Sequence, residues 1–510
     1  MPGLTTDIVI LGSGFGGSLL ALILARAGKS VAMVDRSRHP KFAIGESSTP
    51  LADRTLAQLA DEYGIPELRP LCHWGSWKRE RPQLLCGKKR GFTYFDQTTG
   101  EDLTVENIDS RRLLVSASVD DEHSDTHWLR SDVDQFVFQL AKESGVLTFE
   151  QCQYTLNQKD DQWFVEGHAV ADSNPIRISS PFLIDATGSS NGVLKFLNIP
   201  DQTHVLKTNS RSIFAHFESA VTCEQLLCSR SIDVDTFPYL CDDAAVHQVL
   251  PDGWMWQLRF DDDTLSAGFM IDERPDADHV SATFATLHEE WDWRIARSPF
   301  LSRQFKNAKI VRPESGLQGT KRIQRLAGQG AGCNWAGIAN TVGFIDPLHS
   351  TGIAHTLFSV SRLADILLSG SDLATRTKQL QEYSNNLITE LRFVDELVEG
   401  CYEAIPSFSL WCQWGMLYIA AATSMEQMPA DKIGDVSFLR ANDVALRAVM
   451  REAGQRLGNA RRAEVRDRTS SEANFEEWLK SAIAPWNRVG LFDDSCNNLY
   501  SQTAAPADAW

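Results

Sequence analysis

An apolar run, Ile8-Val-Ile-Leu11, leads straight into Gly12-x-Gly14-x-x-Gly17, and residues 19–28 then read as a helix stopped by glycine. Strand, glycine turn and helix in that order are the context that a dinucleotide site needs. Gly12 permits the tight turn, Gly14 lets the backbone approach a pyrophosphate, and Gly17 lets the helix pack close. The helix N-terminus then faces the phosphates. Val31-Ala-Met-Val-Asp35 reads as a second strand ending in an acid. Asp35 stands at about the twenty-residue separation expected of a ribose-binding carboxylate. A plain glycine-rich strand–helix turn is the alternative, and it gives no account of that acid.

The chain has 510 residues and a net charge of −18. That length allows about three domains. Among its basic residues there is no block of five or more, which argues against nucleic acid and against stable insertion at an anionic membrane. Ten cysteines are scattered without CxxC or zinc spacing, so no metal site is expected, and a reducing, cytoplasmic context is. The N-terminal stretch lacks a charged segment followed by a long apolar one. Residues 408–425 form the one long apolar stretch. Gln413, serines and a threonine interrupt it and basic flanks are missing, so a buried or pocket-covering helix is expected rather than a membrane span.

Further along, Gly45-Glu46-Ser47 suits a loop beside an anion or polar cofactor edge, or a plain capping loop. Thr49 and Pro50 then fit N-cap and N1 of a helix over 51–63. A helix running to Ser144 is expected to be capped by Ser131 or Asp132. Phe182-Leu-Ile-Asp185-Ala-Thr-Gly188 reads as a buried strand ending in a second nucleotide-approach turn. Strand candidates at 211–217, 247–249, 253–260 and 265–271 precede a helix over 282–294. Gly343-Phe-Ile-Asp346-Pro returns before a helix over 353–368, and 371–485 is mostly helical. The expected organisation is 1–204 plus 325–370 as one discontinuous domain, 205–324 as a sheet-rich substrate domain, and 371–510 as a helical region covering the substrate site.

The returning Gly-x-x-Asp346-Pro segment resembles the second FAD-binding motif of the glutathione-reductase-type, hydroxybenzoate-hydroxylase-like flavoproteins. Within that group the chain resembles the flavin-dependent halogenases over most of its length. The resemblance rests on Gly45-Glu-Ser-Ser-Thr-Pro50, Lys89-Arg-Gly-Phe-Thr-Tyr94, Gly253-Trp-Met-Trp256 and Phe344-Ile-Asp-Pro-Leu-His-Ser-Thr-Gly352. The tail, with Cys401-Tyr-Glu-Ala and Phe408-Ser-Leu-Trp411, is most similar to the phenol/phloroglucinol-type branch. The resemblance implies an α/β protein: a Rossmann-like FAD-binding domain, a β-sheet substrate domain and a helical C-terminal region. It implies FAD, reduced by a separate reductase, and chloride or bromide as co-substrate. Hypohalous acid would travel to a lysine that presents it to an electron-rich aromatic, phenol-like or pyrrole-like.

Carried over residue by residue, Lys89 matches the lysine, with Lys88 as its in-register rival and a solvated charge as the alternative. Cofactor contacts fall on Gly12, Gly14, Phe15, Gly17, Asp35 and Arg36, then on Glu46, Ser47 and Arg130. Asp185, Gly188, Asp346 and Gly352 complete them. Thr351 and Gly352 match the halide-binding amides. Trp254, Trp256, Arg259 and Trp411 are expected at the substrate pocket, although the tryptophans also suit core packing. Two positions depart from the family pattern. Its Trp-x-Trp-x-Ile-Pro reads here Trp254-Met-Trp-Gln-Leu-Arg259, and an arginine there would disturb the tunnel or bind an anionic substrate. His349 replaces the glutamate of the tryptophan-specific enzymes, and is either an acid–base group near neutrality or structural. Hydroxylation of an aromatic, free or on a partner or carrier protein, is the alternative reaction, and a flavin reductase or saturase is the third.

Overall fold

The computed structural model describes residues 3–170, 175–275, 282–429, 436–501 and 503. Ile8–Leu11 is fully buried and forms the centre of a six-stranded sheet. It pairs in parallel with Val31–Val34 on one side and Phe182–Asp185 on the other. Leu147–Phe149 extends the sheet beyond Val31–Val34, and Trp335–Gly337 extends it beyond Phe182–Asp185. Parallel strands need both faces covered, which is why these runs are continuously apolar. Phe15–Arg26 packs between Arg130–Glu143 and Thr351–Leu368 to supply that cover. Cys152–Lys159, Gln162–Ala169 and Pro175–Ser180 form a separate antiparallel sheet, closed by Leu4–Thr5.

The large sheet is not confined to 205–324. Ser210–Glu218, Leu265–Asp272, Gly253–Arg259 and Ala245–Leu250 lie side by side, but Ala245–Leu250 continues in parallel onto Gly91–Asp96. Arg112–Ser116 and Leu499–Tyr500 follow at that edge. Segments from both ends of the sequence therefore complete it. Cys86–Lys89 leaves this layer and pairs with Asp125–Trp128, setting Lys89 opposite Asp125.

Local signals decide the helix starts. Thr49 caps Pro50–Glu62, its hydroxyl accepting from the Ala52 amide at 3.4 Å. Arg130–Glu143 has no side-chain cap, because the Asp132 carboxylate accepts from the Leu85 amide and the Ser131 hydroxyl turns to Asp132. The helix expected over 282–294 begins later, as Leu287–Ala296, where the Thr286 side chain caps it. In the tail, Leu373–Ala404, Phe408–Glu426, Val444–Arg461 and Arg468–Ala482 are helical, while 430–435 lies outside the described residues. Phe408–Glu426 is buried along nearly its whole length. Among the described residues no helix is long and apolar enough to cross a membrane.

Candidate active site

A cleft of about 1030 Å³ opens where the glycine turn meets the large sheet. Its floor is the turn itself. Gly12 has φ of +97°, and a Cβ there would stand 2.3 Å from the Ala186 carbonyl oxygen. A Cβ on Gly17 would stand 2.3 Å from the Gly12 carbonyl oxygen. These two glycines close the turn on itself. Gly14 and Gly352 line the cleft as well but have room, Gly352 having nothing within 4 Å of a Cβ. Phe15, Asp35, Arg36, Glu46, Ser47, Arg130 and Gly188 line it too. The glycine cradle, the strand-terminal acid and the volume fit a dinucleotide such as FAD.

Asp35 is the best-bound group of this wall. Its carboxylate accepts from the Ser13 amide at 2.7 Å, the Ser13 hydroxyl at 2.8 Å, the Ser37 amide at 2.7 Å and the Lys41 ammonium at 2.6 Å. Burial pushes its pKa up, but Lys41 and these donors outweigh burial and hold it below the usual carboxylate range. Arg130 donates two bonds to Asp134, at 2.8 and 3.0 Å, and two of 3.1 Å to the Ile44 and Gly45 carbonyls. It thereby clamps the Gly45–Thr49 loop to the first helix layer, with its guanidinium over the Phe15 ring. Glu46 accepts from the Ser266 hydroxyl at 2.7 Å and stands 3.0 Å from His216.

Two expected cofactor ligands turn away from the cleft. Asp185 accepts from the Thr187 amide, the Thr187 hydroxyl and the Val193 amide, so it shapes the 186–192 loop that does line the cleft. Asp346 accepts from Tyr402 at 2.9 Å, Ser210 at 3.2 Å and the Leu348 amide at 3.1 Å. Burial pushes Asp346 up to about 7 despite these donors. The polar residues of this returning segment on the cleft wall are Asn340, in the helix Ala339–Val342, and Ser350. Ser350 adopts φ of 52° and donates to the Ser47 hydroxyl at 3.0 Å. The helix Thr351–Leu368 then starts with no side-chain cap, with Gly352 in the cleft wall and Thr351 buried behind it.

Strand alternation settles the lysine run. Lys88 bonds outward to Asp121 at 2.7 Å and Asp243 at 3.0 Å, and Arg90 bonds to Asp121. Lys89 points inward and is 0% exposed. Its ammonium donates to the Ser48 carbonyl at 2.7 Å, stands 3.4 Å from Asp125 and lies 4.3 Å from the Phe92 ring centroid. Burial lowers its pKa, against the opposing pull of Asp125 and Asp53. Lys89 does not line the large cleft. It stands behind the Gly45–Ser47 segment, joined to it by Ser48.

From Phe92 an aromatic cluster runs inward. Phe92 meets Tyr418 edge-on at 6.1 Å, and Tyr418 stacks on His349 at 4.3 Å. His247 packs on Phe92, Tyr94 and Trp254, and also lines the cleft. Lys89, His349 and Trp254 are thus brought together, with His247 between them and the cleft. Sequence reasoning missed His247, although its strand was recognised. Burial and nearby His247 push His349 down to about 3, which favours the structural reading of this residue over the acid–base one. Its Nδ1 has no protein partner.

Trp256 lines the cleft, and a Cβ on Gly268 would strike its ring at 2.3 Å. Trp254 donates to Tyr402 at 3.2 Å, behind the wall. Arg259 is corrected by strand parity. Trp254, Trp256 and Leu258 face one core, whereas Met255 faces the other, and Arg259 shares its side. Arg259 bonds Asp242 at 2.9 Å and the carbonyls of Asp263, Ala220 and Val221. Arg259→Gln is therefore expected to cost about 2 kcal/mol in denaturant unfolding and to leave substrate choice unchanged. Trp411, in the first turn of Phe408–Glu426, is 2% exposed in the apolar core and does not line the cleft.

The tryptophan halogenase family model matches residues 123–411. The tetracycline 7-halogenase of Kitasatospora aureofaciens is 26% identical over 415 residues, 79% of this chain and 71% of that protein. Monodechloroaminopyrrolnitrin halogenase PrnC of Pseudomonas fluorescens is 27% identical over 412 residues, 79% and 69% of the two chains. The solved structure of halogenase PltM in complex with phloroglucinol and FAD superposes with a TM-score of 0.82 at 21% identity, covering 98% of this chain and 99% of that one. The flavin-dependent brominase Bmp2 gives 0.64 at 18% identity, covering 88% and 99%.

Proposed function

From the premise that this chain belongs to the tryptophan halogenase family, we propose that its Lys89 presents hypohalous acid to an electron-rich aromatic ring of the phenol or pyrrole class. The protein is a flavin-dependent halogenase, with FAD as cofactor and halide as co-substrate. Reduced FAD, supplied by a separate reductase, gives the reducing equivalents with which oxygen and halide form hypohalous acid. Gly12, Gly14 and Gly17 would hold its pyrophosphate, Asp35 its ribose, and the amides of Thr351 and Gly352 the halide.

One observation carries the role of Lys89. A single buried ammonium is fixed to Ser48, next in sequence to two residues of the cleft wall, and it faces an aromatic cluster on its other side. An ammonium donates to the oxygen of hypohalous acid and so makes water the leaving group. His247 and Trp256 separate that position from the cleft and would keep the substrate ring off the flavin. Phe92, Tyr94 and Tyr418 surround that position with apolar rings, a lining that suits an aromatic guest. The engagement of Arg259 with Asp242 takes it away from both the tunnel and an anionic substrate, which supports halogenation over hydroxylation.

The test supplies reduced FAD, oxygen and either chloride or bromide to a panel of phenols and pyrroles, free and carrier-bound. Mass spectrometry is expected to find halogenated products that require halide. Hydroxylated products formed equally well without halide would overturn the assignment.

A further inference from the structure

Lys89 does not stand alone in its pocket. Asp125 faces it across the two-stranded pairing, 3.4 Å from its ammonium. Asp53, on Pro50–Glu62, neighbours Asp125; burial and then Asp125 push its carboxyl up, and it accepts from the Ser48 hydroxyl. Ser48 thus holds Lys89 through its carbonyl and Asp53 through its side chain. Asp53 and Asp125 are 2% and 3% exposed, and one oxygen of Asp53 has no partner. Two adjoining carboxyls beside one ammonium need one proton between them to be neutral overall.

We propose that Asp53 and Asp125 are positioning residues that form a proton store for Lys89, a role that rests on the delivery reading above. The balance is closed. Lys89 gives a proton to the oxygen of hypohalous acid. The oxygen–halogen bond breaks, water leaves, and the carbon–halogen bond forms. The pair returns a proton to the Lys89 amine. The ring carbon then loses its proton, its C–H electron pair restores aromaticity, and that proton refills the pair. Hypohalous acid and arene become haloarene and water.

The other groups facing this cluster do not replace the pair. Glu426 approaches from Phe408–Glu426 and is pushed up to about 8 by burial and then by Asp125, so it stays largely protonated at neutrality. Its backbone carbonyl accepts from Arg54. His127 and His247 are each pushed down to about 3 by burial and remain neutral. Lys89 and the two aspartates are left as the groups whose charge can change together.

The experiment uses the full chain with FAD and compares the wild type with Asp53→Asn, Asp125→Asn and Asp125→Glu. Wild-type minus Asp53→Asn infrared difference spectra of the resting protein at neutral pH are expected to show the loss of one buried protonated-carboxyl component, while that of Glu426 persists in both proteins. In turnover, Asp53→Asn is expected to lower kcat roughly tenfold, with KM and the release of hypohalous acid to a trapping dye unchanged. Asp125→Asn removes the anion that holds the proton on Lys89. The activity that needs the ammonium should then be lost at lower pH as pH rises, and Asp125→Glu should restore the profile. A protonated-carboxyl spectrum that Asp53→Asn leaves unchanged, or wild-type pH profiles in both asparagine variants, overturns the proton store. The infrared result is read without turnover, so it decides this proposal even if Lys89 proves unnecessary for delivery.

Discussion

Replacing Lys89 with methionine is expected to cut formation of halogenated product by about 100-fold or more while hypohalous acid still forms and escapes to a trapping dye. Methionine keeps an unbranched apolar stem, one atom shorter than lysine, while the charge, the donor and the ammonium contact with Phe92 disappear. General acid assistance of this kind contributes about 10²–10⁴-fold. The same change strips Asp125 of its counter-ion. Breaking one side of a buried pair costs about 3–5 kcal/mol when the remaining charge persists. Asp125 can escape that cost by binding a proton. Burial already raises its pKa, with Lys89 pulling it down, and loss of Lys89 raises it further. A carboxyl raised in the folded state favours folding most fully below its unfolded value, and that contribution is lost as pH rises through the folded value. The variant's deficit in denaturant unfolding should therefore be larger at pH 8 than at pH 5. Product formation within threefold of wild type would defeat the proposed role of Lys89.

Where sequence and structure agree, the cause is local. Gly12 to Gly17 and the Thr49–Pro50 helix start depend on neighbours within a few residues, and such signals are readable one segment at a time. Arg259 could have been placed as well. Counting alternate positions from Trp254 puts Arg259 on the opposite face, and the family motif distracted from that count. Asp346 and Asp185 show a different limit. An acid next to a glycine turn can face the ligand or cap its own loop, and the choice depends on Tyr402 and Ser210 in one case and on Val193 in the other. The environment of Lys89 was out of reach. Asp53 lies on a helix, Asp125 on a strand and Glu426 on a distant helix, and only the folded arrangement puts three carboxyls around one ammonium. Burial then alters what each residue can do, as with His349, whose pKa near neutrality holds only in water.

The glycines of the opening turn allow binding and folding to be separated by single methyl groups. Gly12→Ala forces a side chain into φ of +97° and sets its Cβ against the Ala186 carbonyl. Gly17→Ala drives its Cβ into the Gly12 carbonyl. Backbone atoms in the central sheet cannot yield cheaply, so each change is expected to destabilise the protein without FAD by about 1–3 kcal/mol from overpacking. Gly12→Ala carries about a further 1 kcal/mol for its left-handed conformation. Gly14→Ala is different. Gly14 has φ of −65° and ψ of 173°, which any residue adopts, and its nearest neighbour would be the Asp134 carboxylate at 3.5 Å. Its methyl group would meet only what occupies the cleft. Gly14→Ala should thus keep the thermal midpoint of the FAD-free protein within a degree or two and weaken FAD binding roughly tenfold or more, as read by flavin fluorescence titration. Wild-type affinity in Gly14→Ala would mean that the pyrophosphate does not pass over Gly14, and the placement of the cofactor along this turn would have to be redrawn.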